Sequence, residues 1–173
     1  MIKKLLLKFI KKKEELEPIE IGLDSLGIKY KGNEILEILQ PGKYEGIDKN
    51  EGVKLMRIEM NKERCRPYNQ ATFTKDMISL RFSFSYTFSI KDVEKYFYGR
   101  YGRLQLKNIV GDKLKKYIRS VIAGLNSDEI IEKREVLEQL ELGGLKDEFD
   151  ELGVLVENLV IGDLTYPKGI QDL

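Results

Sequence analysis

The chain has 173 residues, which is enough for one domain or for two small lobes that share a core. Charged residues make up 34% of the chain but leave a net charge of only +1, so no overall attraction to nucleic acid is expected. The lack of histidine excludes nucleophiles activated by imidazole and zinc sites that use it.

Side chains that could carry chemistry are few. Most carboxylates lie on predicted helices near Lys or Arg, which favours solvated charged faces over an acid/base pair. Cys65 is the single cysteine, so no intrachain disulfide forms and a reducing compartment is favoured. Its neighbours Arg64 and Arg66 would lower its pKa if it were exposed, as at a redox or acylation site. A half-buried thiol without a role is the favoured alternative. We therefore predict no enzyme, cofactor or metal site.

The first thirteen residues, MIKKLLLKFIKKK, contain six lysines and no acid. On a helical wheel the apolar side chains cover one arc of roughly 140° and most lysines lie opposite, while Leu7 lies towards the lysines. The segment is too short to cross a bilayer, but it is suited to lie on an anionic membrane surface. The predicted membrane-contact residues are the apolar Ile2, Leu5, Leu6, Phe9 and Ile10 and the basic Lys3, Lys4, Lys8, Lys11 and Lys12. The alternatives are a helix packed on the protein's own core and a frayed basic tail.

Residues 1–17 are thus predicted to be a basic segment with its linker, and residues 18–173 a domain with a sheet-rich part, 18–90, and a helical part, 91–173. Short alternating segments predict a mostly antiparallel sheet in the first part. The predicted strands are 27–31 and 34–39, joined by a turn at Gly32 and Asn33, an interior strand 53–60, and 70–74, with a break at 64–67.

Residues 78–90, ISLRFSFSYTFSI, predict a long strand because every second side chain is large and apolar. The other face carries Ser, Thr and Arg and is predicted to be exposed to solvent, or to be an oligomer interface.

Helical spacing follows this strand. Predicted helices are 92–98, 103–123, which Gly124 would end in a left-handed conformation, and 127–152, with a kink at Gly143 and Gly144 and a possible oligomer surface over 132–152. A closing strand, 154–163, changes its apolar parity midway, which predicts a β-bulge near Glu157 and Asn158. The predicted fold class is α+β.

Three stretches together resemble the SPFH (stomatin, prohibitin, flotillin) or band 7 domain. GIKYKGNEILEILQPGKY resembles its opening hairpin, and TKDMISLRFSFSYTFSIKDVEKYF resembles its Thr-Lys-Asp turn, long strand and short helix. IRSVIAGLNSDEIIEKREVLEQL resembles its helix pair, and ELGVLVENLVIGDLTYP its closing strand. The resemblance covers about residues 27–170 and is nearest to the bacterial stomatin-like slipins.

This resemblance implies a non-enzymatic scaffold that associates with one membrane leaflet, forms homo-oligomers and influences membrane-bound proteases or channels. Family members usually carry an N-terminal membrane hairpin or helix and continue into a coiled coil. If these residues are the whole protein, we expect small oligomers, or recruitment into another protein's array, instead of large rings. If they are a fragment, this expectation does not apply.

Two functions remain at this point. The first is a membrane-peripheral scaffold at the cytoplasmic, inner face of a membrane, bound through residues 2–13. The alternative is a soluble binding module or adaptor that regulates a protease or another band 7 protein without contacting lipid. Nucleic acid is not an expected partner. YFYGRYGR, residues 96–103, interleaves aromatics with arginine as single-strand binders do, but tyrosines at a helix end more commonly cover the edge of a core.

Overall fold

The computed structural model of the protein describes residues 17–47, 51–67, 69–132 and 143–166. The chain divides into two compact units, Met1–Asn61 and Lys62–Leu173. An antiparallel sheet region, then helices and a closing strand confirm the predicted α+β class. The strands are β1 (Ile19–Ile21), β2 (Ser25–Lys31), β3 (Glu34–Leu39), β4 (Gly42–Tyr44), β5 (Val53–Glu59), β6 (Glu63–Cys65), β7 (Gln70–Phe73), β8 (Ser79–Ile90) and β9 (Val154–Thr165). The helices are α1 (Val93–Gly99), α2 (Arg103–Ala123), α3 (Ser127–Glu132) and α4 (Gly143–Glu151).

The first unit contains two small antiparallel sheets. Strand β1 pairs with β4, and β2 pairs with both β3 and β5. The predicted turn between β2 and β3 is confirmed, since Gly32 has a φ of 61°, which glycine adopts without a steric penalty. The predicted interior strand at 53–60 is wrong in its placement, because β2 is central and β5 lies at the edge of the order β3-β2-β5. The segment 53–60 is partly apolar on both faces, but this pattern does not show whether a strand has one neighbouring strand or two.

The second unit is built around β8. Strand β9 pairs with β8 along one edge, while β6 and β7 pair with the two halves of the other edge. The predicted break at 64–67 is therefore partly wrong, since β6 extends through Cys65. Three residues are too few to show the alternation that identifies a strand from sequence. This segment is a strand because it pairs with β8.

The two faces of β8 are not simply one packed face and one solvent-exposed face. The apolar face is buried as predicted: Leu80, Phe82, Phe84, Tyr86, Phe88 and Ile90 are each at most 3% exposed. On the hydroxyl face Arg81 is exposed, but Ser85 and Ser89 are also buried. The prediction of a solvent-exposed face is therefore wrong for these two serines. With strands on both sides, small side chains on β8 are covered by larger neighbours, as where Arg64 Nη2 donates to Ser85 Oγ at 3.1 Å.

The predicted bulge in β9 is confirmed. Ser85 pairs with Val160 and Thr87 with Glu157, so two residues of β9, Asn158 and Leu159, lie opposite one residue of β8, Tyr86. Asn158 lies at the irregularity with a φ of 51°. The extra residue brings both parities of the strand to one face, and the side chains buried there are Val154, Val156, Leu159 and Ile161.

Helix α2 has the predicted bounds and lies along the sheet. Its spaced apolar residues Leu106, Val110, Leu114, Ile118 and Ile122 are buried. Gly124 ends it with a φ of −87°, so the predicted left-handed conformation is wrong. The carbonyls of the last turn are met by ordinary turn bonds instead, from the N–H groups of Gly124 and Leu125.

The predicted helix at 127–152 is seen at its two ends as α3 and α4. Residues 133–142 between them lie outside the described residues, so the predicted kink at Gly143 and Gly144 stays a prediction. None of the helices in the described ranges is both long and apolar enough to cross a membrane.

Candidate functional site

The turn between β7 and β8 is organised by Thr74, which is only 2% exposed. Its Oγ1 accepts a hydrogen bond from the N–H of Ile78 at 3.0 Å. The same hydroxyl donates to Asp76 Oδ1 at 2.5 Å. The backbone of the turn closes through the N–H of Thr74, which donates to the carbonyl of Ile78 at 3.0 Å. A threonine in this position therefore holds the turn in one shape and orients the carboxylate of Asp76.

That carboxylate joins the turn to the start of α3. The N–H of Ser127 donates to Asp76 Oδ1 at 3.1 Å, and the Ser127 hydroxyl donates to Oδ2 at 2.7 Å. Lys75 N–H adds a backbone bond of 2.8 Å to the carbonyl of Leu125. The hydrogen bonds from Thr74 and Ser127 favour the ionised form and lower the pKa of Asp76. The Thr-Lys-Asp turn thus acts as a clasp between the sheet and the helical region.

The end of β9 reaches the same clasp. The hydroxyl of Tyr166 donates to the carbonyl of Ser127 at 2.7 Å. Burial raises the pKa of Tyr166, and the nearby carboxylates of Asp76 and Asp128 raise it further. Three segments that are distant in sequence are therefore held together around Ser127.

A second polar cluster ties β6 to α2. The carboxylate of Glu63 accepts a bond from Lys107 Nζ at 2.7 Å and pairs with Arg103 Nε at 3.6 Å. The hydrogen bond from Lys107 is the main reason that the pKa of Glu63 is lowered. Arg103 also lies over the ring of Phe88, 5.4 Å from its centroid, a cation–π contact. These bonds fix the first half of α2 on the sheet.

Cys65 lies beside this cluster and is half-buried. Burial is the main cause of its raised pKa, so the thiol form prevails at neutral pH. Since the thiolate is the reactive species, this environment disfavours the redox or acylation site considered from the sequence. The arginine neighbours in sequence do not decide the matter, because Arg64 is turned towards Ser85.

A third contact locks α1 to the end of α4. The carbonyl of Gly153 accepts the N–H groups of Lys91 at 2.9 Å and Asp92 at 3.1 Å. Lys91 Nζ pairs with Asp150 Oδ1 at 2.8 Å, and Lys95 Nζ donates to the Asp150 carbonyl at 2.7 Å. Gly153 has a φ of 71°, and a Cβ there would lie 2.7 Å from the carbonyl oxygen of Asp92. Only glycine fits this position without strain.

Within the described ranges, no three His, Cys, Asp or Glu side chains lie together in a way that could hold a metal ion. The polar clusters of the second unit instead bind one element of the fold to another. A model of the SPFH domain / Band 7 family matches residues 26–172. The chain belongs to this family.

Band 7 membership confirms the resemblance drawn from the three motifs, over nearly the same residues. The family is in general one of membrane-associated, non-enzymatic scaffolds. Comparison with curated proteins gave no match. The Thr-Lys-Asp clasp and Gly153 both lie within the matched Band 7 range, so two of the stretches that carry the resemblance also hold this unit together.

The ten predicted membrane-contact residues, from Ile2 to Lys12, lie outside the described residues and ahead of the Band 7 match. They stay a prediction. Sequence reasoning missed the partners of the Thr-Lys-Asp motif, Ser127 and Tyr166. Nothing in the chain near Thr74 indicates which distant residue its neighbour Asp76 would bind.

Proposed function

We propose that this Band 7 chain is a membrane-peripheral scaffold of the stomatin type, acting at the cytoplasmic, inner face of a membrane. It self-associates and thereby organises or regulates membrane proteins such as proteases or channels, and it catalyses no reaction. The observation that carries the proposal is the family match over residues 26–172, because the family is in general one of membrane-associated scaffolds. Proximity to the slipin branch rests on the motifs of the chain alone.

Attachment is assigned to residues 2–13. Their apolar arc supplies area to bury between lipid chains, and each lysine near an anionic surface contributes about 1 kcal/mol. Stable anchoring generally takes two such signals, and this segment combines them. Because it precedes the matched range, changes in it should weaken membrane binding without unfolding the domain.

The second unit supports a scaffold role by its surface. Several large apolar side chains are exposed there, among them Met77 at 74% and Leu104 at 68%. Exposed side chains of this size can each contribute to a contact with another molecule. The three polar contacts described above hold the elements of this unit together and keep such surfaces in fixed positions, as a scaffold requires.

Sedimentation with liposomes tests the proposal. The full chain should sediment with anionic vesicles, less so with neutral ones, and a version that starts at Glu14 should not. Added salt should release the full chain, because screening weakens the contribution of the lysines. Leu6→Glu with Phe9→Glu should abolish binding while the cooperative melt is kept.

Leu7→Glu provides the matched control for Leu6→Glu alone, since one carboxylate is then added on the lysine side of the helix instead of on the apolar arc. It should weaken binding much less than the changes on the apolar arc. If the double variant loses its cooperative melt, the segment is part of the core. If the full chain ignores both kinds of vesicle, membrane attachment is wrong and a soluble adaptor of a protease or of another Band 7 protein takes its place.

A further inference from the structure

Strand β7 has an outer edge with which no other described strand pairs. Its inner edge pairs with β8, and the bond from the Thr74 N–H to the Ile78 carbonyl marks one hydrogen-bonded pair of that ladder. Bonded and non-bonded pairs alternate along antiparallel strands, so Thr72 bonds to β8 as well. The backbone N–H and C=O groups of Ala71 and Phe73 therefore point away from β8, where a further strand would meet them.

The opposite edge of this sheet is less suited to an added strand. Strand β9 is longer, but its pairing with β8 shifts register twice, between Arg81 and Ser83 and between Ser85 and Thr87. Such irregularities turn an edge away from regular pairing. The pairing of β7 with β8 has no register shift, so β7 offers the regular edge, although it is only four residues long.

Helix α2 flanks β7. The Lys75 N–H donates to the carbonyl of Leu125, just beyond the end of α2, at 2.8 Å. On the helix itself, Arg119 Nη2 donates to Gln70 Oε1 at 3.4 Å. A segment added to β7 would therefore have α2 beside one of its faces. Its other face would lie beside Phe73, whose side chain is 56% exposed.

Arg119 has hydrogen-bonding capacity that the described residues leave unused. Its Nε is buried and has no hydrogen-bond partner among them. Its bond to Gln70, at 3.4 Å, is longer than is usual for N–H···O. A guanidinium carries five N–H donors in a fork that fits a carboxylate. A carboxylate that entered beside β7 would give these donors a charged partner.

The charges around this edge favour an acidic occupant. The bases there are Lys75, Arg81, Lys115, Lys116 and Arg119, and the acids are Asp76, Asp112 and Asp128. Asp112 pairs with Lys115 at 2.6 Å, and the carboxylate of Asp76 is engaged in the clasp. Within the described ranges, neither Arg81 nor Arg119 is paired with a carboxylate. A segment with carboxylates is therefore attracted to the edge, and a basic segment is repelled.

We propose that β7 and α2 receive an extended acidic segment of a partner protein, which adds to β7 as a further strand. Its backbone bonds to Ala71 and Phe73, and its carboxylates, at alternate positions, face Arg119. A second copy of this chain fits less well, because two β7 edges side by side would bring the Arg119 side chains together, and β9 is irregular. The inference rests on the proposed function only in taking the occupant to be a protein that this chain organises or regulates.

Two peptides of opposite charge test the contact in solution. The probe acetyl-Val-Glu-Val-Glu-Val-amide, as a strand, carries its carboxylates on one side and its valines on the other. The control peptide has Lys in place of Glu. The full chain, isotope-labelled, is titrated with each peptide and followed by NMR. The Glu peptide should bind one per chain, several-fold more tightly than the Lys peptide, and should slow hydrogen exchange at the amides of Ala71 and Phe73, which become donors to it.

Two variants, each with a matched control, separate an added strand from general attraction of charge. Ala71→Pro removes an outward-facing N–H, which an edge strand tolerates. It should keep the cooperative melt and lose most of the binding, while Ala71→Val should bind as the parent does. Arg119→Glu should remove the preference for the Glu peptide. Lys54→Glu makes the same change of charge at an exposed position of the first unit and should leave the preference intact.

Several results would overturn the proposal. These are no binding of the Glu peptide, equal binding of both peptides, unchanged exchange at Ala71 and Phe73, or tight binding by Ala71→Pro. Slow exchange of these amides in the free chain that speeds up on dilution would show a second copy on the edge and would also overturn it. If Ala71→Pro does not fold, Arg119→Glu decides, since a preference kept in that variant contradicts the contact. No vesicle is present, so each result is independent of the liposome test.

Discussion

Gly153→Ala should destabilise the second unit by about 2–4 kcal/mol. A φ of 71° costs a residue with a Cβ about 1–2 kcal/mol, of which a stiffer unfolded chain returns roughly 0.4–1 kcal/mol. The new methyl group would also lie 2.7 Å from the carbonyl oxygen of Asp92 and 2.8 Å from Cβ of Lys95. Overpacking of this kind costs about 1–3 kcal/mol. Because neither contact is the flexible end of a side chain, the backbone itself has to shift.

The assay is urea unfolding followed by circular dichroism, with two variants of the same unit as references. Met77→Gly removes an unfavourable positive φ at an exposed position, so it should stabilise by less than about 1 kcal/mol. Gly144→Ala adds a methyl group where no atom lies within 4 Å, and in a helix it should stabilise by up to about 1 kcal/mol. A loss below about 1 kcal/mol for Gly153→Ala would refute the reasoning, since the clash with Asp92 would then be relieved at no cost.

Two further predictions concern the core and the polar clusters. Phe84→Ser should cost about 3–5 kcal/mol or unfold the domain, because Phe84 is 3% exposed and stacks between Phe82 and Tyr86 at 6.2 Å from each ring. The control Phe73→Ser changes a position that is 56% exposed, so this variant should melt almost as the parent does. A normal melt for both variants would show that β8 is not the core. Hydrogen bonds lower the pKa of Glu63, Asp76 and Asp150, so these groups stabilise the fold above the ordinary carboxyl pKa of about 4 and lose that contribution as the pH falls through their folded values. The urea midpoint should therefore be nearly flat from about pH 8 to 5, where no histidine titrates, and should fall on acidification with a shallower slope in Asp76→Asn; a midpoint that rises on acidification would contradict this.

Much of the fold follows from local patterns. Helix α2 has its predicted bounds because its apolar residues recur every three or four positions and Gly124 follows them. The parity change in β9 predicted a bulge, and the register of β9 against β8 contains it at Asn158. Periodicity is a property of neighbouring residues, so it can be read without knowing the partner.

The elements that were predicted wrongly depend instead on their partners in the fold. Strand β6 exists through its pairing with β8, and β5 is an edge strand because, among the described strands, only β2 pairs with it. Ser85 and Ser89 are buried by what covers them, although serine alternating with phenylalanine is typical of a strand with one face in solvent. None of these outcomes can be derived from the residues of the strand itself.

The features that matter for function also fall into those set by local sequence and those set by tertiary packing. The sequence alone determined the basic amphipathic segment, the α+β class, the family resemblance and the long central strand, since composition, spacing and motif are all local. Tertiary structure decided that Asp76 holds Ser127, that Gly153 adjoins Asp92, and that α2 lies beside β7. These relations join residues far apart in the chain, and they exist only once packing of the apolar faces has chosen which elements lie side by side.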